Sequence, residues 1–146
     1  MSQLAEILLV EDNPDELELT LSALKESNFA NTIHTARDGA EALDFIFARG
    51  RYAHRLGAEP LKLVLLDLKL PLVDGIEVLR QVKADPVTRK IPVVVLTSSQ
   101  QESDLVTSYD LGVNSYIAKP VDIDRFVASI AAIGMYWIVL NERPVG

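Results

Sequence analysis

The sequence predicts a doubly wound α/β domain, with helices packed on both faces of a parallel sheet. Short apolar runs alternate along the chain with segments of helical periodicity, which is the pattern of βα units joined in series. The runs LVLL at 63–66 and IPVVVL at 91–96 are apolar throughout, as strands buried on both faces are. Because sites in open α/β sheets lie beyond the carboxyl ends of strands, we expect Asp67, which ends the first run, to face a crevice.

The composition is that of one globular domain without a basic surface for nucleic acid. The chain has 146 residues, of which 49% are hydrophobic, and a net charge of −7. Such an acidic balance argues against nonspecific nucleic-acid binding. The absence of cysteine excludes disulfides and thiolate metal sites. The N-terminal segment has no basic region of a signal peptide, and no apolar run approaches the roughly 18 residues of a membrane span. We therefore expect a cytoplasmic protein that does not bind membranes.

The first βα unit is predicted from residue 6 onward. The run EILLV at 6–10 is a candidate strand, and it ends in Glu11-Asp12. Asn13 suits the N-cap of the following helix, with Pro14 at the first helical position and Glu16 at the third. One apolar face of that helix is formed by Leu17, Leu21 and Leu24.

The second unit is less regular. A weaker strand at 31–36 leads to a helix that starts after Asp38. The inner face of this helix is predicted to consist of Leu43, Ile46 and Phe47. The segment RGRYAHRLGAEPL at 49–61 then breaks the alternation. We interpret it as a long surface loop or a ragged helix end.

The second half of the chain repeats the alternation three more times. After the strand that ends at Asp67, the predicted elements are a helix from Asp74 to Asp85, a strand at 91–96, a helix at 102–111, a strand at 114–118 and a helix from near Asp122. Five βα units fit a flavodoxin-like strand order, 2-1-3-4-5, followed by an extended C-terminal helix or tail.

That strand order brings the ends of four strands to one edge of the sheet. The residues collected there are Glu11, Asp12, Asp67, Thr97 and Lys119. Three carboxylates in one crevice repel one another, and a hard dication with oxygen ligands, Mg²⁺ above all, relieves the repulsion. Lys119 can pair with a bound phosphoryl group, and the Thr97 hydroxyl can donate to it. This is equipment for phosphoryl transfer, in which a carboxylate can be the acceptor.

Four motifs in this order carry a family resemblance. They are LVEDNP at 9–14, LLDLKLPLVDG at 65–75, VLTSS at 95–99 and YIAKP at 116–120. From about Glu6 to Ile133 the chain resembles a response-regulator receiver domain of two-component signalling. The resemblance implies that Asp67 accepts a phosphoryl group from a histidine kinase. It also implies that Thr97 and Lys119 bind that group, and on this basis Lys119→Ala is expected to leave the fold intact.

The same resemblance implies a metal site and a switch. Mg²⁺ would be held by Asp12 and Asp67, by the backbone carbonyl of Lys69, and through water by Glu11. Tyr116 would be the switch residue, turning inward when Thr97 is drawn to the phosphoryl group. A half-buried strand tyrosine with no such role is the simpler alternative.

Two further segments narrow the resemblance. The stretch at 49–61 and the tail at 134–144 resemble the small regulators that partner bacterial and cyanobacterial phytochromes. They imply a stand-alone response regulator whose kinase is a phytochrome or another histidine kinase. A phosphorelay intermediate is an alternative. A phosphohydrolase on the same fold is less favoured, because Lys69 stands where a second catalytic acid is expected. The chain is then no enzyme beyond its own Mg²⁺-dependent phosphorylation and autodephosphorylation.

The chain is predicted to form a single receiver domain over 1–146, with a core at about 6–133 and a C-terminal extension at 134–146. A heptad-like apolar seam runs through Ile123, Phe126, Ile130, Ile133, Trp137 and Leu140. Exposed apolar residues of this kind usually mark an interface. We expect a homodimer with Ile133, Tyr136, Trp137 and Leu140 in its interface; the alternative is a tail folded back on its own domain.

Overall fold

Five parallel strands form one sheet in the order β2-β1-β3-β4-β5. The computed structural model describes residues 6–26, 32–57, 61–97, 111–113, 115–119 and 121–132. The strands are β1 Glu6–Val10, β2 Thr32–Ala36, β3 Leu63–Asp67, β4 Val93–Thr97 and β5 Ser115–Ala118. This order confirms the prediction, and the predicted strand ends move by only one or two residues.

The helices within the described ranges are α1 Pro14–Glu26, α2 Gly39–Ile46, α3 Gly75–Ala84 and α4 Ile123–Ala132. Two 3₁₀ helices lie at Gly50–Arg55 and Thr88–Lys90. The helix predicted at 102–111, except for its last residue, and the extension at 134–146 lie outside these ranges. Among the residues described, no helix has both the length and the apolar character needed to span a bilayer.

The predicted caps position three helix starts. Each cap is a side-chain oxygen that accepts a hydrogen bond from the backbone N–H three residues later. These bonds are Asn13 to Glu16 at 3.0 Å, Asp38 to Glu41 at 2.7 Å and Asp74 to Glu77 at 2.9 Å. The helices therefore begin close to the carboxyl edge of the sheet, where the parallel strands end.

Two apolar clusters cover the two faces of the sheet. Side chains alternate between faces along a strand, so Leu8 and Val10 join one cluster while Ile7 and Leu9 join the other. Helices α2 and α3 complete the first cluster, and Leu24 of α1 and Phe126 of α4 complete the second. Burial on both faces explains the uninterrupted apolar runs of the three central strands, at 7–10 in β1, 63–66 in β3 and 93–96 in β4.

Two details of the sequence prediction were wrong. In α2 the buried aromatic is Phe45 rather than Phe47, because the helix ends at Ile46 and Phe47 is only half-buried. In α3 the predicted inner face was Ile76, Leu79 and Val82, but Val78 is buried while Ile76 is only half-buried. The segment after α2 was interpreted as a long surface loop or a ragged helix end, and the 3₁₀ helix Gly50–Arg55 fits the second of these alternatives.

That 3₁₀ helix is tied to α2 by polar and aromatic contacts. The Tyr52 hydroxyl donates to Glu41 Oε2 at 2.6 Å, and its ring meets Phe45 edge-on. Arg55 donates to the Phe45 carbonyl at 2.6 Å and lies 3.8 Å above the Phe45 ring. His54, in the middle of this 3₁₀ helix, is exposed.

Candidate functional site

The carboxyl edge of the sheet gathers three buried charged side chains. Glu11 follows β1 and is 0% exposed, Asp67 ends β3 and is 6% exposed, and Lys119 follows β5 with a side chain that is 5% exposed. Each is carried to the edge by a strand whose apolar residues fix its register against the neighbouring strand. Buried charges persist only when they are paired, so these groups must be considered together.

Lys119 is the centre of this cluster. Its ammonium nitrogen donates to Glu11 Oε1 at 2.6 Å and to Asp67 Oδ2 at 2.9 Å. A third carboxylate oxygen, Glu16 Oε1 at the start of α1, lies 2.7 Å away. An ammonium group has three donors, so these three carboxylates can occupy all of them.

Backbone amides fix the other carboxylate oxygens. Asn13 N–H donates to Glu11 Oε2 at 3.2 Å, and Lys69 N–H donates to Asp67 Oδ1 at 3.1 Å. Each of the two buried carboxylates is therefore held at both oxygens, one by Lys119 and one by the loop that follows its strand. The Glu11 and Asp67 carboxylates are therefore already oriented before a ligand binds.

The charges shift one another's pKa values. Burial raises the pKa of Glu11 from 4.5 to about 7; the hydrogen bond from Lys119 acts against this, and the nearby charge of Asp67 adds to it. Burial alone would lower the pKa of Lys119, but the bonds to Glu11, Glu16 and Asp67 raise it above its usual value. Lys119 is thus a permanent cation, while Glu11 takes up a proton more readily than an ordinary glutamate does.

Asp12 completes an acidic group that suits a hard cation. Glu11, Asp12 and Asp67 each offer one oxygen, and these atoms lie within 4.8 Å of one another. Asp12 is exposed while the other two are buried, so the group opens to solvent on one side. An all-oxygen donor set with one open side fits Mg²⁺, which binds few carboxylates and keeps several waters.

The loop after Asp67 is held by two close backbone approaches. A Cβ atom on Gly75 would lie 2.4 Å from the carbonyl oxygen of Asp67, and one on Gly39 would lie 1.7 Å from that of Val73. Neither site admits a side chain, so both glycines bring the loop against the start of a helix. Leu72 in this loop has a positive φ of 69° and is 82% exposed.

A comparison with protein families identifies this architecture. The model of the response regulator receiver domain matches residues 7–131. The chain belongs to the receiver domain family. This bears out the resemblance that the four motifs carry.

Three relatives are similar to this chain over most of its length. The bacteriophytochrome response regulator AtBRR has a solved structure with 54% identity and a TM-score of 0.86, covering 97% of this chain and 100% of that one. Response regulator Rcp1 of Synechocystis sp. is 39% identical over 94% of this chain and 92% of its own length. The probable methanogenesis regulatory protein FilR2 of Methanothrix harundinacea is 42% identical over 94% of this chain and 86% of its own length. A structure of Rcp1 with bound Mn²⁺ has a TM-score of 0.75 at 36% identity, covering 97% of this chain and 99% of that one.

The remaining residues predicted for the receiver site are less fully described. Thr97 is the last residue of β4 and pairs in register with Ala118, but its side chain is outside what the structure describes. Tyr116 on β5 is partly buried against the first apolar cluster. The predicted interface residues Ile133, Tyr136, Trp137 and Leu140 lie outside the described ranges.

Two residues at the receiver site were not predicted to contribute to it. Glu16 was interpreted only as part of a helix start, and Gly75 was included only as the last residue of the motif at 65–75. The sequence signal for Glu16 was present, since two further acids, Asp15 and Glu16, stand close behind Glu11-Asp12. Its contact with Lys119 depends on tertiary structure.

Proposed function

We propose that this receiver is a stand-alone response regulator that accepts a phosphoryl group on Asp67 and then changes its partner contacts. The observation that carries the proposal is the hydrogen bond from buried Lys119 to Asp67 at the carboxyl edge. In the transfer, the N–P bond of a phosphohistidine breaks as a carboxylate oxygen of Asp67 forms the new P–O bond. The imidazole leaves with the electron pair and takes up a proton.

Each polar group around Asp67 has a task in this proposal. Glu11, Asp12 and Asp67, with the backbone carbonyl of Lys69, would hold Mg²⁺, Glu11 acting through water. The bound ion neutralises charge on the transferring group. Lys119 pairs with a phosphoryl oxygen once it is released from Asp67. Positioning and charge neutralisation are the main needs of phosphoryl transfer, and these residues meet both.

The proposed phosphodonor is a histidine kinase, and a phytochrome is the first candidate. AtBRR is named as a bacteriophytochrome response regulator, and this chain covers the whole of its solved structure. The 3₁₀ helix Gly50–Arg55 belongs to the segment on which the phytochrome-partner resemblance rests. The net charge of −7 favours protein partners over nucleic acid. Onward phosphotransfer to a relay protein is the alternative output.

A phosphohydrolase with Asp67 as nucleophile is the competing function. Lys69, two residues after Asp67, occupies the place where such an enzyme is expected to hold its acid/base carboxylate. The proposal is therefore of a protein with no enzymatic activity beyond its own phosphorylation and autodephosphorylation.

Phosphotransfer from purified histidine kinases tests the proposed function. We expect at least one kinase, a phytochrome first, to label the protein in Mg²⁺, and we expect EDTA to abolish labelling because the acidic group then repels the donor. Turnover of a generic phosphoester, such as p-nitrophenyl phosphate, should stay at background. Labelling that is independent of metal, or steady phosphoester turnover, would contradict the proposal.

We propose Thr97 and Tyr116 as the switch that reports phosphorylation. The position of Thr97 at the end of β4, next to the strand that carries Tyr116, supports it. We expect the NMR signals of the Tyr116 ring to shift when beryllofluoride is added with Mg²⁺, and we expect Thr97→Ala to remove that shift. Thr97→Ser keeps a hydroxyl and should retain it. An equal shift in the wild type and in Thr97→Ala would refute the switch.

We propose a homodimer through the C-terminal helix, with Ile133, Tyr136, Trp137 and Leu140 in the interface. The apolar seam of the sequence supports the proposal. Sedimentation at tens of micromolar should show a dimer for the full chain. Trp137→Ala should shift it toward monomer, because aromatic anchors often contribute about 2 kcal/mol or more to an interface. A monomeric full chain under these conditions would contradict the proposal.

A further inference from the structure

Glu16 does not make the contact that its sequence position predicts. At the third position of α1, its carboxylate would normally accept a hydrogen bond from the N–H of Asn13. In the structure Asn13 N–H donates instead to Glu11 Oε2 at 3.2 Å. Glu16 Oε1 lies 2.7 Å from Lys119 Nζ. The side chain of Glu16 is thus directed to Lys119 at the carboxyl edge of the sheet rather than to the backbone of its own helix.

The three carboxylates around Lys119 are not equivalent. Glu11 and Asp67 belong to the group of oxygens that suits a divalent cation, and Glu16 does not. Glu16 is also the most accessible of the three, with 37% of its side chain exposed against 1% for Glu11 and 9% for Asp67. Lys119 therefore bridges two potential metal ligands and one carboxylate outside the metal group.

Lys119 and a divalent cation compete for the same two carboxylates, Glu11 and Asp67. When Glu11 and Asp67 turn to a cation, the Lys119 ammonium loses two of its three partners. Its side chain is 5% exposed, so water offers little compensation, and a buried ammonium without a counter-charge is strongly unfavourable. A carboxylate that stays with Lys119 removes this penalty.

We propose that Glu16 is a positioning residue that retains Lys119 when Glu11 and Asp67 bind a divalent cation, and that it thereby strengthens metal binding. Glu16 acts through Lys119 and touches neither the metal nor the phosphoryl group. The inference rests on the proposed function to the extent that Glu11 and Asp67 are taken as ligands of Mg²⁺. It adds a partner that holds the lysine ready for the phosphoryl group.

The affinity for Mg²⁺, measured by calorimetry on the full chain without phosphodonor, gives the first test. We expect Glu16→Gln to bind Mg²⁺ about threefold to tenfold more weakly than the wild type. The matched control is Glu18→Gln, which removes the same charge from an exposed position on the same helix and should change the affinity by less than about twofold. Equal affinities in the two variants would overturn the proposal.

A double-mutant cycle shows whether Glu16 acts through Lys119. With Lys119→Met as background, no cation competes for Glu11 and Asp67, so adding Glu16→Gln should no longer weaken Mg²⁺ binding. A loss of the same size in that background would mean that Glu16 acts on the metal directly, and it would overturn the positioning role. If Lys119→Met does not fold, NMR of the Lys119 ammonium group in saturating Mg²⁺ tests the same point. Its ¹⁵N signal should be present in the wild type and lost through rapid proton exchange in Glu16→Gln. A signal in both proteins would overturn the positioning role of Glu16.

These results are separable from the test of the proposed function. If Glu16→Gln weakens Mg²⁺ binding through Lys119 but no donor labels Asp67, the positioning role stands and the phosphoacceptor role fails. If Asp67 is labelled and Glu16→Gln binds Mg²⁺ like the wild type, the proposed function stands and the inference fails.

Discussion

In Asp67→Asn, labelling from a phosphohistidine donor or a small acyl phosphate should fall to background. The amide has almost the same shape as the carboxylate, and its oxygen can still accept the hydrogen bond from Lys119 or from Lys69 N–H. It lacks the anionic oxygen that forms the new P–O bond, so no acyl phosphate can form. Denaturing gel electrophoresis after incubation with ³²P-labelled donor measures the effect directly.

The matched control is Asp74→Asn, which makes the same chemical change at the other end of the same loop. Asp74 is exposed and caps α3 through its bond to Glu77 N–H, and asparagine caps helices about as well as aspartate does. Its labelling should therefore stay within about twofold of the wild type. Wild-type labelling of Asp67→Asn, or loss of labelling in Asp74→Asn, would show that the acceptor lies elsewhere.

The meeting of Glu11, Asp67 and Lys119 could be predicted because it follows from strand order. Strands that pair in parallel have their carboxyl ends at one edge of the sheet, so the residue at the end of each strand reaches that edge. The identity of these residues then indicates the chemistry. No side-chain contact had to be known.

The ion pair of Glu16 and the approaches of Gly39 and Gly75 could not be predicted in the same way. A sequence pattern of cap and glutamate describes a local hydrogen bond, but Lys119 is a stronger partner for Glu16, and only the fold brings it near. The sequence shows Gly75 as part of a turn, whereas its necessity comes from the Asp67 carbonyl 2.4 Å from where a Cβ would lie. The contact that holds the segment after α2 could not be predicted for a similar reason, since Tyr52 is held by Glu41, a residue of the preceding helix.

The structure also changes what is expected of Lys119. From the sequence, its removal should leave the fold intact, but Lys119 is the cation that pairs with both buried Glu11 and buried Asp67. Removing one partner of a buried ion pair typically costs about 3–5 kcal/mol, because the other charge is left uncompensated. We therefore expect Lys119→Met to lower the free energy of unfolding by about that amount at pH 8, without metal.

The destabilisation caused by Lys119→Met should become smaller as the pH falls. Glu11 in the folded protein has a pKa of about 7, above its ordinary value of 4.5, so its favourable contribution is complete below pH 4.5 and is lost as the pH rises through 7. Lys119→Met removes the hydrogen bond that lowers the pKa of Glu11, so that pKa rises further. The free energy of unfolding then declines over a wider pH range, and at pH 8 the decline is larger than in the wild type by on the order of 1 kcal/mol or more. Urea unfolding in EDTA from pH 5 to pH 8 should therefore give a steeper decline for Lys119→Met than for the wild type.

Lys83→Met is the matched control for this pH dependence. Lys83 is also partly buried, but its ammonium donates to the backbone carbonyls of Arg89 and Ile91. Its removal therefore leaves no buried carboxylate without a counter-charge. Its destabilisation should be nearly constant between pH 5 and pH 8. Adding Glu11→Gln to Lys119→Met should flatten the decline, because the group that must ionise in the buried site is then gone. A parallel decline in Lys119→Met and Lys83→Met would mean that Lys119 does not compensate the buried carboxylates, contrary to the geometry of the site.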